Sequence, residues 1–186
     1  MKKYFYFLFL LIFFGCSSST KKEQKILRYI DLSAYFNHEA NRLQASNVPI
    51  TKWIKDNNGF RSSIKSNIDW KKEFAFFADN DINKAAWKNS YRIDSSLIDS
   101  CIQILYQAKE PQLKIRSILI KKRKSTNVVE EIQIRLRNTN ALYSSFQLMD
   151  YQPEKGYFIV GHQKVRFLGE SNYVVFVNYF DMRYEI

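Results

Sequence analysis

Val128-Val129-Glu130-Glu131-Ile132-Gln133-Ile134-Arg135-Leu136-Arg137 is the stretch that decides the fold. From Ile132 onward, apolar and polar side chains alternate one for one. A period of two is that of a β-strand with one buried face and one solvated face. A half-solvated strand in turn belongs to an antiparallel sheet.

Similar segments follow one another on both sides of it. Strands are expected near Tyr91–Ser95, Ser100–Ala108, Gln112–Lys121, Val128–Arg137, Leu142–Tyr151, Tyr157–Phe167 and Tyr173–Phe180. The breaks carry turn-forming residues: Lys109-Glu110-Pro111, Lys124 to Asn127, Asn138-Thr139-Asn140, Gln152 to Gly156 and Gly169 to Asn172. Each is too short to hold a crossover helix, so neighbouring strands run antiparallel. Tyr173-Val174-Val175-Phe176-Val177 departs from the alternation, being apolar on both faces. Such a strand needs cover on both sides: the helices can cover one face, and sheet curvature, a loop, a partner or a ligand the other, which suits a curved sheet with helices in or against its concave side.

The preceding third of the chain supplies those helices. Leu32, Tyr35, Phe36, Ala40 and Leu43 fall at steps of three and four, which marks one face of a helix capped by Asp31 and ended before Pro49. Ile50 to Asn67 reads as a hairpin turning at Asp56-Asn57-Asn58-Gly59. Asp69 caps a second helix with Trp70, Phe74 and Phe77 along one stripe, and a short helical turn follows at Ala85-Ala86-Trp87. The expected class is α+β: an N-terminal helix, a hairpin and a second helix packed on a large, curved antiparallel sheet.

The composition suits one folded domain. Of 186 residues, 46% are hydrophobic and 25% charged, which are globular values. Formal net charge is +11. An excess of cations favours acidic partners, such as anionic lipid or glycan. There are two cysteines, Cys16 and Cys101, too few for a Cys-rich zinc site.

The N-terminus has its own organisation. Met1-Lys2-Lys3 is positive, and Tyr4 to Phe14 is wholly apolar or aromatic. That run is short of the roughly 20 residues a membrane-spanning helix needs. A positive start, a short apolar core and a small residue at the end are the parts of an export signal. Phe13-Phe14-Gly15-Cys16, followed by Ser17-Ser18-Ser19-Thr20, resembles the lipobox of bacterial lipoproteins. Phe13 and Phe14 depart from the commoner Leu and Ala or Ser, in the manner of relaxed boxes in Bacteroidota, whose small lipoproteins the chain resembles. The resemblance implies cleavage after Gly15 and a lipid on Cys16. It divides the chain into a signal peptide (1–15), a lipidated tether (16–25) and a single α+β domain (26–186). Lys2 and Lys3 would leave with the signal, and Cys101 would have no disulfide partner within the chain. Ser17 after the cysteine and the basic Lys21-Lys22 point to the periplasmic leaflet of the outer membrane.

Motifs for catalysis are sparse. His38 and His162 lie in no HExxH, HxH or Ser/His/Asp arrangement, and the sequence has no GxSxG, P-loop or GxGxxG motif. Asp79-Asn80-Asp81-Ile82-Asn83 begins like a calcium loop, but Lys84 stands where glycine is required and Ser90 where the bidentate glutamate belongs. No metal or cofactor is therefore expected. Asp79, Asp81, Asn83, Trp87 and Tyr91 form a candidate interaction patch, since Trp and Tyr commonly anchor binding surfaces. Lys121-Lys122-Arg123-Lys124 forms a candidate contact for an anionic surface. An exported protein has no use for the nucleic-acid reading of that run.

These features point to a non-catalytic, membrane-anchored binding or assembly module of the cell envelope, with other envelope proteins or anionic lipid and glycan as partners. Two alternatives stand beside it. A carrier would need an apolar cavity under the Tyr157–Phe167 and Tyr173–Phe180 strands. A hydrolase would need Asp79 or Asp81 to face Glu73 across a cleft.

Overall fold

The computed structural model describes residues 28–179. The expected signal peptide (1–15), the whole of the expected tether (16–25) with Cys16, and residues 180–186 lie outside them.

Helix α1 (Leu32–Ser46) opens where Asp31 Oδ1 accepts the Ala34 amide at 2.8 Å. It ends at Asn47, whose left-handed backbone (φ 46°) returns its amide to the Leu43 carbonyl. Strands β1 (Ile50–Asp56) and β2 (Gly59–Lys65) form the hairpin. Helix α2 (Trp70–Ala78) starts where Asp69 Oδ1 accepts the Lys72 amide, and a 3-10 turn follows at Ala85–Trp87. Then come β3 (Tyr91–Ile98), β4 (Cys101–Ala108), β5 (Ile115–Arg123), β6 (Val129–Thr139), β7 (Tyr143–Gln152), β8 (Gly156–Val165) and β9 (Gly169–Tyr179).

All nine strands join one antiparallel sheet in the order β2-β1-β9-β8-β7-β6-β5-β4-β3. The sequence order is broken once, where the β1–β2 hairpin docks on β9 (Ile50 opposite Tyr179). Both helices lie on one face, so the expected α+β architecture holds. Their apolar stripes meet the inward rows of the sheet. Phe36 stacks on Phe77 at 4.8 Å between ring centroids, and Phe74 packs on both Tyr151 and Tyr157. The fully buried side chains include Trp70, Tyr151, Ile118, Ile120, Ile132 and Ile134. The last two are the apolar half of the alternation read from the sequence.

Several boundaries differ from expectation, with β3 running on to Ile98 rather than Ser95 among them. Strand β5 starts at Ile115 rather than Gln112, because the chain from Glu110 to Leu113 turns on a Leu113 amide–Glu110 carbonyl bond. Strand β8 stops at Val165, and the turn lies at 166–168, not at Gly169 to Asn172. Gly169 to Asn172 instead pair with Val165 to His162 as the start of β9. Apolar Phe167 reads as strand in the sequence because hydrophobicity does not distinguish a strand end from an apolar turn.

The connectivity sorts the loops to two rims. One rim holds the β1–β2, β4–β5, β6–β7 and β8–β9 turns, together with the segment feeding β3. The other holds the β3–β4, β5–β6 and β7–β8 turns.

Candidate functional site

The alternation of each strand leaves one sheet face without helix cover among the described residues. The β9 segment that is apolar on both sides resolves accordingly. Val175 and Val177 point with Ile159 and Tyr157 toward the helices, while Val174 and Phe176 point away. Cross-strand register lines the latter up with Val160 and Leu148, and with Phe158 and Trp53. Trp53 and Phe176 stack at 5.2 Å. Phe176 keeps 44% of its surface exposed, Phe146 43% and Val174 38%. The result is an apolar stripe across β1, β9, β8 and β7, on the side opposite the core. Arg135, Lys55 and Arg92 lie exposed in the row of Leu148, Val160 and Val174.

Asp150 lies on this open face and is nevertheless buried. It stands opposite Phe158 and Gln133. Gln133 Nε2 and Gln152 Nε2 donate to its two oxygens at 3.4 and 3.3 Å. Burial pushes its carboxyl above the usual Asp value, and the nearby Glu131 adds to that. Beside it a shallow hollow of about 170 Å³ is lined by Gln152, Phe158, Phe176 and Asn178. Sequence reasoning passed over Asp150. The alternating pattern assigns it to the polar face, and nothing in the pattern says that this face would exclude water at that point.

The stretch from Asp79 to Tyr91 makes several bonds within the fold. Tyr91 is buried rather than presented, and its hydroxyl donates to the Ile115 carbonyl at 3.0 Å. Burial raises its phenol to about 12. Asn83 Oδ1 accepts the Tyr29 amide, and its Nδ2 donates to the Ile30 carbonyl at 2.8 Å. Asp81 Oδ1 accepts from both nitrogens of Asn83 and so fixes its orientation. Trp87 is half-buried under Lys84, and the Tyr29 hydroxyl donates to the Lys88 carbonyl beside it. Asp79 is the C-terminal cap of α2. This segment therefore clamps the start of the domain to the sheet.

The basic run is divided by its own strand. Lys121 pairs with Glu131 at 2.7 Å and Arg123 with Glu130 at 2.8 Å. Lys122 points to the opposite face from Lys121, as strand geometry demands, and Lys124 begins the turn. Glu130 is the extra residue of a β-bulge, since Lys121 pairs with Glu131 but Lys122 with Val129. The bulge brings the Glu130 carboxylate to within 3.2 Å of the Cys101 thiol, which is half-buried at a strand end rather than sunk in the core.

Of the carboxylates considered for hydrolysis, Glu73 and Asp81 are engaged elsewhere. Glu73 Oε1 accepts from Lys52 Nζ at 2.5 Å and from the Tyr157 hydroxyl. Among the described residues, no group of three or more His, Cys, Asp or Glu is placed to hold a metal ion. No described helix is long and apolar enough to cross a membrane.

In comparisons with known proteins, no protein-family model, curated protein or solved structure significantly matches this chain.

Proposed function

We propose that this protein is a lipid-anchored binding module of the cell envelope, held at the periplasmic leaflet of the outer membrane through Cys16, with the open sheet face docking a protein partner. The observation that carries the docking reading is the stripe of Trp53, Phe176, Val174, Val160, Leu148 and Phe146 on the side away from the core. An apolar centre bordered by Arg135 on one side and Lys55 on the other has the make-up of a protein interface, apolar within and polar at its margin. Contiguous exposed apolar surface of this kind commonly marks an interaction site. The anchor reading rests on the Gly15-Cys16 junction behind a short apolar run.

A carrier would need its cavity on the inward side of β8 and β9. Tyr157, Ile159, Val177 and Tyr179 fill that side by packing on the rings of α2 and their neighbours, which weighs against the carrier. The test of the binding module is site-specific photo-crosslinking in native envelopes from positions Phe176 and Val160. Exposed Lys65 on β2 serves as a control. A discrete adduct from the first two positions, lost on Val174→Asp and absent from Lys65, is the expected result. Equal labelling from all three positions, or lipid as the main crosslinked product, would reject it.

A further inference from the structure

The β8–β9 turn places two large apolar side chains in water. Phe167 is 89% exposed and Leu168 86%, the highest values among the large hydrophobic residues described. Phe167 also has a left-handed backbone (φ 70°), a conformation that suits glycine or asparagine and strains an aromatic residue. Stability of the isolated fold does not explain an exposed, strained phenylalanine. Arg166 lies over the Phe167 ring at 5.1 Å. The backbone of this turn is tied to its neighbour, with the Arg166 amide donating to the Leu142 carbonyl, and Leu142 is itself 61% exposed. Exposed Arg137, Lys109 and Lys114 occupy the same rim.

The described residues also start at this rim. Arg28 donates to Asn89 Oδ1 at 2.6 Å and Tyr29 to the Lys88 carbonyl, immediately before β3. Five strand spacings, roughly 24 Å, separate β3 from β8 along the rim. The twelve residues from Cys16 to Arg28 reach at most about 40 Å, so an anchor at Cys16 leaves this rim within reach of the bilayer. The run Lys121 to Lys124 lies at the opposite rim, with two of its cations already paired.

We infer that the rim carrying Phe167, Leu168 and Leu142 is the membrane-facing end of the domain: the β8–β9 turn inserts into the leaflet, with Arg166 and the surrounding cations at anionic headgroups. This rests on the anchor reading above for its orientation. Apolar side chains enter the acyl boundary while basic ones remain among the phosphates, the arrangement of an interfacial anchor. A second contact of this sort fixes the domain's orientation and holds the open face upright, accessible to a partner.

The test is depth quenching with the full chain, extracted from membranes and reconstituted into vesicles of phosphatidylcholine and phosphatidylglycerol carrying brominated acyl chains. Phe167→Trp reports on the turn and Phe146→Trp on the open face, each read against the unsubstituted protein. The emission added by Phe167→Trp should fall by about half or more as the indole enters the acyl boundary, and that added by Phe146→Trp should be unchanged. Phe167→Asn suits the left-handed position, so the fold survives, and in that background Leu168→Trp should lose at least about half of its quenching. Quenching at Phe167→Trp no greater than at Phe146→Trp overturns the inference, and so does stronger quenching at Phe146→Trp. The mass of the chain from native cells reports the lipid on Cys16 separately. If that lipid is missing, the anchor reading fails, and quenching at Phe167→Trp on adding the chain to preformed vesicles still decides the turn.

Discussion

Tyr151 and Tyr157 stand directly opposite each other on β7 and β8, and each gives its hydroxyl proton to a glutamate on a different helix. Tyr151 donates to Glu39 of α1 at 2.5 Å, and Tyr157 donates to Glu73 of α2. Each carboxylate has a cation beside it: Arg42 Nη2 lies 2.8 Å from Glu39, and Lys52 Nζ 2.5 Å from Glu73. One cross-strand pair thus ties both helices to the sheet. Packing among Phe36, Phe74 and Phe77 is adaptable, whereas these bonds fix where along the sheet each helix sits.

Tyr151→Phe should therefore destabilise the fold by about 1–3 kcal/mol, since it leaves a buried carboxylate short of a donor. Tyr157→Phe should cost less, because the Glu73 side chain is more exposed than that of Glu39 (18% against 7%) and can regain solvent. Urea unfolding of the two variants checks the order. Equal or negligible losses would mean that ring packing alone positions the helices.

Acid should weaken the same joint. Burial works to raise the Glu39 carboxyl, but the hydrogen bonds from Arg42 and Tyr151 outweigh it and hold the group below the ordinary Glu value. A carboxyl held lower in the folded chain gives stability that is present above its unfolded value, near 4.5, and is lost as pH falls through the folded value. Thermal unfolding followed from pH 6 down toward 3 (on the order of the unfolded carboxyl range) should show a falling midpoint. Glu39→Gln should flatten that dependence.

Asp150 should behave in the opposite sense. Burial and the charge of Glu131 raise its folded value, so its contribution is most favourable below the unfolded value of 3.8 and declines as pH rises through the window up to the folded value. Asp150→Asn removes that cost and should raise the midpoint at neutral pH. A lower midpoint would show that the carboxylate is needed where it stands. A higher midpoint together with lost crosslinking from Phe176 would mark Asp150 as a residue kept for binding at the expense of stability.

Cys101 should be a slow thiol. Its hydrogen bond to Glu130, with burial and the carboxylate's charge, raises the thiol above its usual value, and the thiolate is the reactive form. In a Cys16→Ser background, iodoacetamide should modify Cys101 more slowly than an unstructured cysteine at the same pH. Glu130→Gln should speed the reaction. A rate unchanged by Glu130→Gln would assign the slowness to access alone.

Gly156 has no tolerated replacement. Its φ is +131°, and an added Cβ would lie 2.0 Å from the Val177 carbonyl oxygen on β9. Gly156→Ala should cost about 3 kcal/mol or more, from strain and from separation of β8 and β9. Circular dichroism melts would register it. A near-neutral result would mean that the β7–β8 turn can move away from β9.

The elements that depend on local pattern were legible beforehand. The caps at Asp31 and Asp69, the hairpin at Asn57-Asn58, the stripe of Trp70, Phe74 and Phe77, and the inward Ile132, Ile134 and Leu136 all follow from periodicity and capping chemistry within a few residues. The candidate site was less legible. Tyr91 and Trp87 looked like surface anchors because aromatic residues in polar company have no sequence mark that separates a presented ring from a buried one. The turn at 166–168 was hidden because Phe167 read as the end of a strand, and the partners of Lys121 and Arg123 lie on the next strand.

The sequence by itself determined the class of fold, because hydrophobic period and turn chemistry act over one element at a time. It also holds the short apolar run before Gly15-Cys16 on which the anchor proposal rests. Only the tertiary structure decided that the β1–β2 hairpin closes on β9, that Tyr151 and Tyr157 hold two helices, and that Asp150 is buried on an open face. It alone brought Arg28, Leu142 and Phe167 to one rim. The physical reason is that strand order and the partner of a buried charge depend on residues far apart in the chain, while local patterning reports only which face of each element avoids water.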